Sequence, residues 1–269
     1  MEASVFGCRL DLLVRLYDTT TGAAVNENAI IFRKNDQIIR PEMRGIGTYV
    51  FINTGRENFL MHIKVNGFEE YETEVDYETL DSHLPALDVF LMPSENTFDG
   101  ERFFSFSGTL PFLEAIEAVN LSRPVCMANS YDLKKNELSF FGVNGGRVRM
   151  DSVWYGLLRA DKTGYEKLEV KANVTPSSVK LGNPLKEEVT SNLPVMRILI
   201  GRVGEDGTYL LRARNDGGGQ VYLVRFIVDG REMFQTVDMN APEQLHVCEA
   251  QAETVIENDD ALAAEGSKV

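Results

Sequence analysis

Soft metal-ligating side chains are scarce in this sequence, with three histidines and three cysteines among 269 residues. His62, His83 and His246 are scattered, and Cys8, Cys126 and Cys248 lie far apart with no C-x-x-C. A zinc site takes four such ligands, or three and a water. His246 and Cys248 supply only two, so no metal is expected. Widely spaced cysteines in odd number point to reduced thiols rather than a disulfide framework. Catalytic signatures are missing as well: there is no G-x-S-x-G elbow, no H-E-x-x-H and no P-loop. The chain is therefore read as a non-enzyme without a cofactor.

Positive charge is also in short supply. Lysine and arginine number 27 against 41 acidic residues, a net charge of -14. Phosphate backbones and anionic membrane surfaces both call for the opposite balance, so neither nucleic acid nor a membrane is an expected partner. No apolar run approaches the roughly 18 residues of a membrane span. The opening MEASVFGCRLDLLVRL has no basic segment followed by an apolar one, so a cytoplasmic location is expected.

What the chain does have is strands. From Leu10 to Met92, short segments rich in Val, Ile, Leu, Phe and Tyr alternate with Asp/Thr/Gly or Asn/Gly turns. That punctuation marks a small antiparallel β-sandwich. Leu10, Leu12, Val14 and Leu16 share one face of a first strand and are assigned to the core. Lys34-Asn35-Asp36 turns a hairpin, and Pro41 breaks its ladder. Gly47–Asn53 and Phe59–Val65 are the clearest strands, with Phe51 placed in the core. Asn66-Gly67 turns the chain into the acidic segment Glu70–Val75, and Leu87–Leu91 closes the sandwich.

Three stretches resemble the transthyretin-like, or carboxypeptidase-regulatory-like, family of β-sandwiches. They are Tyr17-Asp18 with Thr21-Gly22, Gly47-Thr48-Tyr49-Val50-Phe51, and Val65-Asn66-Gly67-Phe68-Glu69. The resemblance covers the first third of the chain and implies a fold rather than an activity. Related pilin-type sandwiches carry a Lys–Asn cross-link. The first strand here has no Lys and Leu87–Leu91 no Asn, so none is expected.

A polar linker, PSENTFDGE, follows at Pro93. The expected organisation is a sandwich over 1–93, a second β-rich domain over 94–240 and an acidic tail over 241–269. In the second domain Phe103–Phe106, Leu138–Phe141, Val153–Arg159 and Tyr165–Val170 read as strands. Pro111–Leu121 reads as the one helix, with Phe112, Ala115, Ile116 and Val119 on a face and Thr109 as cap. Residues 173–194 read as a long polar connection. A β-meander follows over 195–238, turning at Glu205-Asp206-Gly207, Asp216–Gly219 and Asp229-Gly230. The tail holds seven acidic residues and one lysine, too little apolar content for a core, and is expected to be disordered. The fold class is thus mainly β, with tandem antiparallel sandwiches and one short helix.

Candidate interaction residues are Trp154, Tyr155, Arg212, Arg214 and Arg225. The aromatic pair reads either as an interface or as core packing. The three arginines, placed on one sheet face, read either as a solvated surface or as an interface groove. A β-rich chain with no secretion signal suggests, by analogy of architecture, a structural or assembly protein. The expected role is an adaptor, baseplate or decoration component of a phage-tail-like or contractile injection particle. Its expected partners are other protein subunits, copies of itself included. The alternative is a β-sandwich binding module that recognises a glycan or a protein through its loops.

Overall fold

In the computed structural model the described residues are 9–27, 29–94, 103–146, 148–186, 189, 192–215 and 221–238. They form twenty β-strands and no helix. Among the described residues no helix is long and apolar enough to cross a membrane. The chain divides into two compact units, Met1–Asp99 and Gly100–Val269.

The first unit contains β1 (Leu10–Asp18), β2 (Ile30–Lys34), β3 (Gln37–Ile39), β4 (Glu42–Gly45), β5 (Thr48–Ile52), β6 (Phe59–Val65), β7 (Tyr71–Val75) and β8 (Ala86–Leu91). These make two four-stranded sheets, ordered β4-β5-β1-β8 and β3-β2-β6-β7. Alternation dictates the core. Leu12, Val14 and Leu16 meet Phe51, Phe32, Met61 and Ile63 between the sheets, while Leu60 and Lys64 of β6 turn outward. Phe32 packs edge-on against Phe51 with ring centres 5.3 Å apart.

Two details depart from a purely antiparallel sandwich. Strand β8 runs parallel to β1, Leu13 opposite Ala86 through Asp18 opposite Leu91. The β1 face turned away from the core is not solvated throughout, because Asp11 is fully buried. Its carboxylate accepts the backbone N–H groups of Thr54 (2.5 Å) and Gly55 (3.0 Å) and the Arg9 Nε (2.7 Å), so it holds the loop after β5. Burial alone would raise the Asp11 pKa. The Arg9 guanidinium and the two N–H groups outweigh it and leave the carboxyl below its ordinary value.

The second unit contains β9 (Phe103–Thr109), β10 (Leu113–Asn120), β11 (Cys126–Asp132), β12 (Glu137–Gly142), β13 (Trp154–Leu158), β14 (Tyr165–Thr175) and β15 (Ser178–Leu181). It continues with β16 (Leu193–Ile200), β17 (Arg202–Val203), β18 (Thr208–Arg214), β19 (Val221–Val228) and β20 (Arg231–Asp238). Nine strands form one sheet, ordered β11-β12-β15-β14-β13-β16-β10-β19-β20. Its first six strands close on themselves, because Cys126–Ala128 of β11 also pair with Leu193–Val195 of β16. The result is a six-stranded antiparallel barrel filled by Leu138, Phe140, Tyr155, Leu157, Leu168 and Val179.

Strand β16 then leaves the barrel. Its C-terminal half, Ile198–Ile200, pairs with β10. Beyond it β10, β19 and β20 face a three-stranded sheet, β17-β18-β9, across a core of Phe106, Ile116, Tyr209, Leu211 and Phe226. One strand thus belongs to a barrel and to a sandwich.

Four expectations are corrected here. Residues 111–121 are not a helix. Phe112 has a left-handed backbone, φ 59°, and Leu113–Asn120 is the strand β10, held between β16 and β19. A bulge at Glu114 shifts parity, so Leu113 and Ile116 reach one core, while Val119 lies in another and Phe112 is exposed. Residues 173–194 are not one long connection, since β14 runs on to Thr175 and β15 follows. Segments 195–238 are not a single meander, because β18 pairs with β9 and β19 with β10 in different sheets. The second unit is a barrel joined to a sandwich rather than one further sandwich. The turn at Asp229-Gly230 is as expected, with φ 48° and 70°. The Asp216–Gly219 turn, the tail over 241–269, His246, Cys8 and Cys248 lie outside the described residues.

Candidate functional site

Tyr155 is fully buried inside the barrel. Its hydroxyl donates to Asp151 (3.1 Å), accepts from the Ser152 N–H (2.9 Å), and sits where Arg197 clamps Asp151 at 2.7 and 2.9 Å. Tyr155 is therefore part of the core and offers nothing to a partner. Burial, then the Asp151 charge, raises the pKa of its phenol.

The three arginines do not share a face. Arg212 and Arg214 alternate with the core residues Leu211 and Ala213 of β18, so they point away from the sandwich core on the three-stranded side. Arg214 is exposed and lies over the Phe103 ring, 6.0 Å from its centre; Arg212 is buried. Arg225 alternates with Val224 and Phe226 on β19 and points away from the core on the opposite side.

Arg225 and Trp154 are brought together through residues that sequence reasoning passes over. Arg225 donates to Glu117 (2.8 Å) and to Glu232. Glu117 also takes Lys167, whose ammonium lies 4.2 Å from the centre of the Trp154 ring. Glu117 is 4% exposed and Arg225 8%, so these charges are held by one another rather than by water. Burial opposes the Arg225 charge, but Glu117 and Glu232 outweigh it and raise its pKa. Tyr165 lies beneath, against Phe234 at 5.3 Å, with its own pKa raised by burial and by Glu117. The only advance signal was charge in apolar strands: Glu117 within LEAIEAVN and Lys167 within YEKLEV. The cluster neutralises itself and acts as an internal tie between β10, β14, β19 and β20.

Cys126 shares that structural character. It is buried beside Met150, and burial pushes its thiol up to about 12, so it stays protonated near neutrality. Among the described residues no three His, Cys, Asp or Glu side chains are grouped to hold a metal.

The surface is different at one edge of the first unit. A groove of about 480 Å³ is lined by Ile30, Ile31, Phe32, Ile38, Ile39, Pro41, Met43 and Tyr49, with Glu27 and Arg40 among the same lining. It exists because β3 ends one sheet, β4 ends the other, and only Arg40-Pro41 joins them. Ile31, Ile38 and Met43 of that lining are exposed, Ile38 at 64% and Met43 at 55%. Aliphatic side chains gathered on open strand edges are a contact surface in waiting. No family model matches the chain, and no curated protein shows a significant match to it.

Proposed function

We propose that this protein is a non-catalytic assembly subunit that works by docking to other protein subunits. The observation that carries the reading is the apolar edge at β3 and β4, where Ile31, Ile38 and Met43 are exposed in the lining of a groove. The charged clusters support it from the other side. Glu117, Arg225 and Lys167 tie strands together, and Asp11 holds a loop, so both are engaged in holding the fold. At the level of architecture, β-units of this kind suit an adaptor, baseplate or decoration component of a phage-tail-like or contractile injection particle.

The test is recovery from native cells. An affinity-tagged chain should co-sediment with a large particle, in fixed ratio to its other subunits, and labelling should place it on the particle in electron micrographs. Recovery solely as free protein, under conditions where such particles stay intact, would remove the assembly role.

A further inference from the structure

Resting on that assembly reading, we propose that Phe112 anchors a contact with a different protein subunit, one that offers an apolar pocket bordered by lysine or arginine. The turn that carries Phe112 is built for glycine. The Leu113 N–H donates to the Leu110 carbonyl at 3.3 Å, closing a four-residue turn with Pro111 second and Phe112 third. Phe112 has φ 59°, and the third place of a proline turn with positive φ ordinarily takes glycine or asparagine. Eight described residues other than glycine have positive φ, and six of them are asparagine or aspartate, which tolerate it. Phe112 is the one apolar residue of the eight, and a bulky side chain in that conformation is strained.

The fold gains little from the ring in return. Phe112 is 75% exposed, the highest value among the described large hydrophobic residues. Its backbone, by contrast, is fixed to neighbouring turns. The Leu110 N–H donates to the Gly207 carbonyl (3.0 Å), the Asp229 N–H to the Phe112 carbonyl (3.2 Å) and the Gly230 N–H to the Glu114 carboxylate (3.1 Å). A strained backbone that holds an aromatic ring out in solvent, already ordered, has the character of an interface anchor.

Charge selects the partner. The turns at 110–114, 204–207 and 229–230 carry Glu114, Glu205, Asp206 and Asp229 and no lysine or arginine. Arg231 is the one cation adjoining them in sequence. All four acidic residues are exposed. An apolar ring set among carboxylates complements an apolar pocket with a cationic border. The same carboxylates repel the equivalent turn of a second copy and an anionic membrane.

Two measurements test this. In the purified full chain, Phe112→Gly should raise the melting midpoint by about 2–4 °C, because glycine relieves the strain and little packing is lost. An unchanged or lowered midpoint would show that the ring serves the fold and would overturn the anchor. In native cells, photoreactive benzoylphenylalanine in place of Phe112 should crosslink to one other subunit, at an apolar peptide that also holds lysine or arginine. Recovery of the Phe112→Gly chain with the particle should fall about tenfold or more, and Glu205→Lys should lower it as well. An absent crosslink, or one to a second copy, a glycan or an acidic peptide, would overturn the proposal. So would Phe112→Gly or Glu205→Lys chains recovered like wild type, a result that leaves the assembly role standing. The expected crosslink formed to a protein outside any particle would instead keep this contact and remove the assembly role.

Discussion

Arg225 and Glu117 face each other across the β10–β19 register and are joined at 2.8 Å, both almost wholly buried. A buried pair contributes little beyond an apolar substitute, but a lone buried charge is costly. Glu117→Ala leaves Arg225 with Glu232 alone and Lys167 without its carboxylate. The expected loss is about 3 kcal/mol, read from urea denaturation. Removing both charges, as Glu117→Leu with Arg225→Met, should recover most of it. A single variant within about 0.5 kcal/mol of wild type would mean that water already compensates these groups.

Phe51 is the second test, because its placement rests on alternation alone. It is 2% exposed and packed against Phe32. Phe51→Ala should cost about 3–5 kcal/mol through lost transfer energy and the cavity left behind. A cost under about 1 kcal/mol would show that the two sheets close over the gap.

Legibility in the sequence followed how local the determining contacts are. β1, β5, β6 and β8 are readable because each carries its own period-two record, and Asp229-Gly230 because a tight turn needs those residue types. β10 was hidden by a single extra residue, Glu114, which breaks the period-two alternation near the start of the strand. The barrel was hidden because its closure joins Cys126 to Val195, a pairing no window of adjacent residues records. The site followed the same rule. Trp154 and Arg225 stood out by residue type, whereas Glu117 and Lys167 gain meaning only from neighbours on other strands. The apolar groove was missed because β4 is short and fully exposed, and an exposed EMRG does not look like a strand.

Gly47 tests the turn before β5. Its φ is 63°, and a Cβ there would lie 2.7 Å from the Leu16 carbonyl oxygen, which already accepts the Val25 N–H. Gly47→Ala should destabilise the first unit by about 1–3 kcal/mol through strain. The loss should appear in thermal melts as a lower midpoint. An unchanged midpoint would mean that the turn can flip to negative φ without disturbing β1.

The last test concerns acid and Asp11. Its folded carboxyl titrates below the ordinary value, while the unfolded chain titrates near pH 3.9. A depressed folded pKa means that protonation favours the unfolded state. The stabilisation is therefore complete above about pH 4 and is lost as the pH falls through the folded pKa. Asp11→Asn keeps the shape and can still accept from Thr54 and Gly55, but it leaves Arg9 without its anion. At neutral pH the variant should be less stable by about 1–3 kcal/mol. That gap should narrow as the pH drops toward about 2, because the wild-type carboxyl is then protonated too. Urea midpoints at neutral pH and in acid measure it directly. A gap that stays constant across the range would assign the effect to side-chain shape, not charge. The loop after β5 would then be held by hydrogen-bond geometry alone.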